Sequence, residues 1–512
     1  MLRTCLRCHF QRVLQSYRTA TTPSAAAAVT SKRLLSATAR NAAAAAAAGE
    51  SNDDVHRIPP QLDLRDIIEN AEQLRENMRA RNYESDSIDR VKSLYEKKEQ
   101  LAAQRDALEK ERDSNNSCIR SAKSKEERQR YINLGKEYKT KIQQIASQIA
   151  SIDSEMTAHA LLIPNRTHKD VPLGPEENAQ VMKTVGLQRK QEDYPLLDHL
   201  TLAERLQIVD FNQAALVSGS KFYYLKNAGV WLEMALIQYA IEKAMLRGFS
   251  PVITPDIVRT SVAYGCGFQP RSKEASQIYD VTTASTVNTT APRLCLAGTA
   301  EIPLAGMFAQ KMIDEDQLPQ RIVGFGRAFR AEAGHGSAEE RGLYRVHQFS
   351  KVELFAVTTP SQSEAMLEEL RQLQEEIFTE LGLCFRVLDM PTEELGASAF
   401  RKYDVEAWLP GRQAWGEISS TSNCTDYQSR RLDIRYVASG FKEQAGPKTV
   451  RVPWHIKEKW VHFAHTLNGT AIAVPRIIIA LLETFQNSDG SVHVPQVLRK
   501  WIPGNPQLLT PP

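Results

Sequence analysis

Two stretches in the first third of the chain repeat their apolar residues at heptad spacing. Val91, Leu94, Leu101 and Leu108 form the first, and Tyr138, Ile142, Ile145, Ile149, Ile152 and Met156 form the second, in alternating steps of four and three. Between them lies SNNSCIRSAKSKEERQR, polar and poor in apolar residues. The pattern predicts two long helices between Leu64 and about Met156, folded back on each other as an antiparallel hairpin with a polar tip. LLIPNRTHKDVPLG then breaks the periodicity with two prolines and a glycine, as a linker would. From about His199 the pattern mixes helices, such as Trp231 to Arg247, with short strands in no regular βαβ rhythm. That predicts an α+β domain, an antiparallel sheet with packed helices.

Charge changes the picture at the start of the chain. The net charge of +3 is carried by the first fifty residues, where Arg3, Arg7, Arg12, Arg18, Lys32, Arg33 and Arg40 precede the first acid, Glu50. Rich also in Ala, Ser and Thr, this stretch has the composition of a mitochondrial transit peptide. Without those seven positive charges and one negative charge the remainder stands near −3, so any nucleic-acid footprint is local. At the hairpin tip, Arg120, Lys123, Lys125, Arg128 and Arg130 form such a local excess. Charge alone leaves two readings open, a solvated coiled-coil face and a phosphate-contacting surface. Cys5, Cys8 and His9 have haem-attachment spacing but fall inside the transit segment, and the other five cysteines are scattered singly, against zinc or a disulfide framework. No uninterrupted apolar run is long enough to span a bilayer.

The candidate chemistry lies in FRAEAGHGSAEERGLYRVHQFSKVE, Phe329 to Glu353. Two strand-like segments flank a connection far longer than a hairpin turn needs. Side chains two apart share a strand face, which groups Arg330 with Glu332, Thr299 with Glu301, and Arg345, His347, Phe349, Lys351 and Glu353. Val346, Val352 and Leu354 take the other, core side. A face of such charges is either a solvated outer surface or a site where each charge meets a partner. GEISSTSNCTDYQSRR and LNGTAIAVPRIII also set polar groups beside apolar strand or helix residues, which tips the balance towards a site. With no phosphate-binding P-loop and no dinucleotide fingerprint, any nucleotide is held by another architecture.

Three separated segments occur in an order that resembles the class II aminoacyl-tRNA synthetases. GFSPVITPDIV resembles motif 1, whose proline, here Pro255, lies at a dimer interface. FRAEAG…RGLYRVHQFSKVE resembles motif 2, and LNGTAIAVPR resembles motif 3. With LAGTAEIPL, EISSTSNCTDYQSRRLDIRY and the helical arm, the chain is similar to the seryl-tRNA synthetases, most closely to their mitochondrial form. The resemblance runs from residue 62 to Leu498. It implies a class II catalytic domain over 201–503, a helical tRNA-binding arm over 60–163 and a linker over 164–200. A transit peptide over 1–50 and a tail over 504–512 complete the division, in a homodimer of the mitochondrial matrix with no membrane attachment.

The reaction so implied activates L-serine with ATP to seryl-adenylate and transfers the seryl group to the 3′ end of mitochondrial serine tRNA. It needs no protein nucleophile, so positioning and charge neutralisation carry the rate. The resemblance implies Arg330 as a bridge between serine carboxylate and α-phosphate, Glu332 as an acceptor at the adenine, and Phe349 and Arg476 as the faces of an adenine sandwich. Arg330, Glu332 and Arg476 are the implied catalytic set. Ala331, Glu417, Ile418, Ser419 and Ser420 complete the ATP site, with Glu417 and Ser420 offering oxygens to Mg²⁺. Thr299, Ala300 and Glu301 receive the serine ammonium, and Glu353 and Thr470 bond its hydroxyl, with Asn468 nearby. The loop from Ala333 to Gly342 is expected to approach ATP and the tRNA end. Pro475 stands where a glycine is usual, and Gly298 where a bulkier residue is. A catalytically silent paralogue that binds RNA or protein is the alternative, and survival of the ligand residues argues for the enzyme.

Overall fold

The computed structural model describes residues 58–512 apart from 84, 191–193, 269–277, 283–292, 333–341 and 441–459. The expected transit segment and the loop from Ala333 to Arg341 therefore lie outside the described residues. The chain first forms α1 (Leu64–Glu69) and α2 (Ala71–Ala80), then the two long helices α3 (Ser87–Ser121) and α4 (Lys125–Leu161). Arg90 pairs with Glu155 at 2.9 Å, Lys98 with Asp153 at 2.7 Å, and Asn115 Nδ2 donates to Tyr131 O at 2.9 Å. Partners on α4 fall in number as those on α3 rise, so the hairpin is antiparallel as its heptads predict. Only Ala122, Lys123 and Ser124 are non-helical, a much shorter turn than the polar stretch suggested. Ser124 caps α4 by accepting from Glu127 N, while Glu127 reaches back to Lys123 N. Good helix formers continue both helices where apolar periodicity has stopped. At the root, α1 and α2 close over the seam, burying Val91, Leu94, Ile152 and Met156 with Leu74 and Met78.

The body is built on eight strands, numbered here for this sheet only. They are β1 (Gln180–Val185), β2 (Ser250–Ile253), β3 (Gln320–Phe329), β4 (Gln348–Thr358), β5 (Phe385–Asp389), β6 (Arg401–Leu409), β7 (Ala414–Asn423) and β8 (His465–Ala473). Their spatial order is β1–β5–β6–β7–β8–β4–β3–β2. Every pair is antiparallel except β2 with β3. The stretch expected as a linker thus contributes an edge strand, β1. Around the sheet lie α5 (Ala228–Leu246), α6 (Glu301–Gly306), α7 (Ser363–Glu380), α8 (Tyr427–Leu432) and α9 (Val474–Phe485). Helices α5, α7 and α9 bury one face, where Val352, Leu354 and Ala356 meet Leu236, Leu370 and Ile478 in the main core. On the opposite face α6 covers Phe355 and Val357, but not the part of β4 before them.

Two single-residue bulges re-aim side chains. On β7 the register with β6 skips Ile418, and on β8 the register with β4 skips Ala471. Asp404 and Glu406 share a face of β6 and pair with Ser420 and Glu417, so the bulge puts Glu417 and Ser420, three residues apart, on one face. Regular alternation would have opposed them. Between Asn468 and Thr470, a Cβ on Gly469 would lie 2.8 Å from Thr421 Oγ1. Pro475 sits in the first turn of α9, where its missing N–H costs nothing, which accounts for a proline there. Gly469→Ala is expected to lower stability by about 1–3 kcal/mol through this overpacking, read as a shifted midpoint in urea denaturation; an unchanged midpoint would show that the strands can part there freely.

Candidate active site

On β4 one face changes character along its length. Phe349, Lys351 and Glu353 open it, and the apolar Phe355 and Val357 continue it. Lys351 and Glu353 are 7% and 1% exposed, so this is not a solvated outer face. Lys351 Nζ lies 2.8 Å from Glu353 Oε2 and donates to Thr299 Oγ1 at 3.1 Å. Thr299 and Thr470 both reach Glu353 Oε2 at 3.5 Å. Deeper in, Glu301 Oε1 accepts from Gln428 Nε2 at 2.6 Å and from Asn468 Nδ2 at 2.9 Å.

The strand-face reading of Thr299 and Glu301 is corrected here. Thr299 lies in a turn, Ala300 caps α6 and Glu301 begins it, so a turn rather than a pleat directs both inward. Two members of this cluster had been given no role. Lys351 was legible as the residue between Phe349 and Glu353 on one face. Gln428 sits on the two-turn helix α8, too short for any periodicity to reveal.

Beside this cluster the charge turns cationic. Arg330 follows the end of β3, its Nε donating to Gly298 O at 3.4 Å and its guanidinium carbon 5.3 Å from the centre of the Phe349 ring. Ala331 follows, and Glu332 has a φ of +42°, so the strand alternation that paired Arg330 with Glu332 does not exist here. They still line one cleft, with Tyr344, Phe349, Pro475 and Arg476. Glu332 faces Arg345 at 3.4 Å. Arg476, at the start of α9, lies over the Tyr344 ring at 4.7 Å and pairs with Glu417 at 2.8 Å. Ser420 shares the face of Glu417, whereas Ile418 joins the main core and Ser419 Oγ donates to Thr470 O. Those two turn their side chains away from the cleft, leaving only backbone to offer. Among the described residues no cluster of three or more His, Cys, Asp or Glu has metal-binding geometry, so a cation here would draw on Glu417, Ser420 and its ligand's own oxygens.

Burial pushes Glu301 up to about 7, reinforced by the neighbouring Glu353 and opposed by Lys351, Gln428 and Arg330. Glu417 goes the other way. Burial raises it, but Arg476 and Lys402 outweigh that and hold it below the usual carboxylate range. The remaining expected residues lie elsewhere. Arg120, Lys123, Lys125, Arg128 and Arg130 are exposed at the end of the hairpin, with no ion pair among the described residues. Pro255 is exposed after β2, between Ile253 at 83% and Ile257 at 50% exposure. Trp231, Met234 and Leu246 of α5 are exposed as well.

Comparison with known proteins adds three findings. Residues 62–167 match the family model described as the seryl-tRNA synthetase N-terminal domain, and residues 285–485 match the class II tRNA synthetase core domain (G, H, P, S and T). The serine–tRNA ligase of Treponema denticola is 42% identical over 440 residues, 85% of this chain and 97% of that protein. The mitochondrial serine–tRNA ligase of Schizosaccharomyces pombe is 39% identical over 443 residues, 86% of this chain and 88% of that one. The solved structure of seryl-tRNA synthetase from Pyrococcus horikoshii complexed with ATP superposes with a TM-score of 0.77 at 31% identity, covering 88% of this chain and all of the other.

The position of Glu301 has a thermodynamic signature. Its folded-state pKa near 7 exceeds its ordinary value of 4.5, so ionising it in place opposes folding. That penalty is absent below about pH 4, grows as pH rises through the interval, and levels off above 7 at roughly 3 kcal/mol. Glu301→Gln keeps an oxygen for Gln428 and Asn468 but cannot ionise. Its melting temperature is expected to exceed that of the unaltered chain at about pH 8, with the gap closing towards pH 5; a pH-independent difference would mean that Glu301 titrates like a surface acid.

Proposed function

The chain belongs to the seryl-tRNA synthetases, and from that premise we propose how its residues divide the work. It is a serine–tRNA ligase that activates serine with ATP and charges tRNA. The observation that carries the division is that the buried carboxylates Glu301 and Glu353 interact with the charge of Arg330, which in turn lines one cleft with Arg476. A zwitterionic amino acid fits such a gradient, its ammonium towards the carboxylates and its carboxylate towards Arg330 and the α-phosphate. In the first step a serine carboxylate oxygen bonds to the α-phosphorus and the bond to pyrophosphate breaks. In the second a terminal ribose hydroxyl of the tRNA takes the seryl group and AMP leaves.

Arg330 is a permanently charged planar fork, held by Gly298 O and the Phe349 ring, and so is aimed at that charge before substrate arrives. Thr299, Ala300 and Glu301 receive the ammonium. Glu353, oriented by Lys351, accepts from the serine hydroxyl together with Thr470, and Asn468 steadies Glu301. Alanine would leave these buried groups unpaired, which penalises it strongly. Glu332, Phe349 and Arg476 take the adenine, with the backbone of Ala331, Ile418 and Ser419 alongside. Glu417 and Ser420 fit a Mg²⁺, which would supply neutralisation of the phosphate charge when bound.

The basic tip engages the tRNA backbone. The exposed apolar side chains of Ile253, Trp231 and Leu246, with Pro255 also exposed, support a homodimer, in which such residues would be covered. The Arg-rich, Ala-rich start and the mitochondrial relative support the mitochondrion, and we take the compartment to be the matrix.

Serine-dependent ATP–pyrophosphate exchange tests the reading. The purified chain is expected to exchange with serine and not with alanine, and no exchange above background would sink the assignment. Arg330→Ala should abolish exchange and leave the oligomeric state unchanged; retained exchange would move the carboxylate–phosphate bridge elsewhere. Reversing the charges at Arg120, Lys123, Lys125, Arg128 and Arg130 together should raise the tRNA KM at least about ten-fold with exchange intact. Normal aminoacylation at limiting tRNA would make the tip a solvated turn.

A further inference from the structure

Helix α8 joins two parts of the molecule through one turn of backbone. At one end, Arg431 is 7% exposed, and among the described residues no carboxylate is hydrogen-bonded to it. Its Nη2 donates to Ile163 O at 3.1 Å and to Leu161 O at 3.5 Å, and its Nη1 to Tyr427 O at 3.2 Å. Leu161 is the last residue of α4. A buried guanidinium thus sits at the negative end of a 37-residue helix, answering the last carbonyl of that helix and one two residues beyond it. Three residues earlier, Gln428 is fully buried and gives its amide to Glu301 Oε1 at 2.6 Å and to Cys266 O at 3.4 Å. Its amide oxygen has no hydrogen-bond partner among the described residues, so what the nitrogen holds decides how the side chain is set.

The second donor to Glu301 also leads back to the arm. Asn468 Nδ2 touches Cys424 Sγ at 3.5 Å, and Cys424 O accepts from Asn165 Nδ2 at 2.9 Å. Asn165 O in turn accepts from Arg81, a buried arginine just beyond α2, at 2.6 Å. Both donors to this carboxylate therefore rest on groups fixed by the root of the arm. A cleft of about 550 Å³, lined by Asp66, Leu74, Arg166, Tyr427 and Arg430 among others, lies beside these contacts and leaves the root room to shift. Such a shift would strip carbonyls from a buried cation, which is strongly unfavourable, so α8 follows the arm.

We propose that Arg431 and Gln428 are positioning residues that set Glu301 according to the seat of the arm, so that serine affinity depends on how α4 is docked. This rests on the reading of Glu301 as the receiver of the serine ammonium. Neither residue touches serine or ATP, and their effect is confined to how well one carboxylate is placed.

The test is the serine KM in ATP–pyrophosphate exchange by the full chain at saturating ATP. Gln428→Leu is expected to raise it about ten-fold, the equivalent of one hydrogen bond to a charged group. Arg431→Met is expected to raise it about five-fold, with the ATP KM and kcat within about two-fold, and Arg431→Lys to recover most of the loss. The double variant should be no worse than Gln428→Leu alone, because the first change acts through the second. An unchanged serine KM in Arg431→Met, or an ATP KM rising in step with it, overturns the proposal. If Arg431→Met fails to fold, Arg431→Gln takes its place, with about three-fold expected and no change overturning it. Absence of exchange by the unaltered chain would instead overturn the functional assignment.

Discussion

Two carboxylates, Glu301 and Glu353, are held out of water close together, with Lys351 on the strand of Glu353 to answer them and Arg330 near by. Burying such a pair is unfavourable unless donors surround it, and the local architecture follows from that requirement. The turn into α6 brings in Thr299, β8 brings Asn468 and Thr470, and α8 brings Gln428. The cost of burial that these donors do not offset, added to by the neighbouring Glu353, appears as the raised pKa of Glu301. On the proposed reading, a substrate ammonium is the complement that relieves this cost.

Antiparallel strands offer two faces and no gradation, and a site of this kind needs finer aim than that. The bulges at Ile418 and Ala471 provide it. The first sends Ile418 and Ser419 inwards together, leaving Glu417 and Ser420 on the cleft side. The second lets both Ala471 and Ile472 join the core, while Thr470 still faces Glu353. Neither costs more than one residue of register.

What the sequence revealed divides along the same line. Heptads from Val91 to Met156 announced the hairpin, and the irregular alternation after His199 announced a mainly antiparallel sheet, because both signals repeat. Arg330 and Glu353 stood out because charges beside apolar strand residues demand an explanation, whereas Glu417 and Arg476 were reached only through the family resemblance. Features made by one residue stayed hidden: the insertion at Ile418, the positive φ of Glu332, the turn that aims Glu301, and Gln428 on a helix of six residues. The extent of the tip was overestimated because lysines, arginines and glutamates prolong a helix without leaving an apolar stripe.

With only Ala122, Lys123 and Ser124 outside the helices, nearly the whole arm is stiff rod. Helices of 35 and 37 residues at about 1.5 Å per residue span roughly 50 Å. On a lever of that length, a rotation of about five degrees at the root carries the tip through about 4 Å, little more than one residue's step along a strand. The converse holds too. A load applied at the tip arrives at the root as a large torque over a very small displacement, the regime in which a few well-placed hydrogen bonds, and not a broad surface, decide how far anything turns.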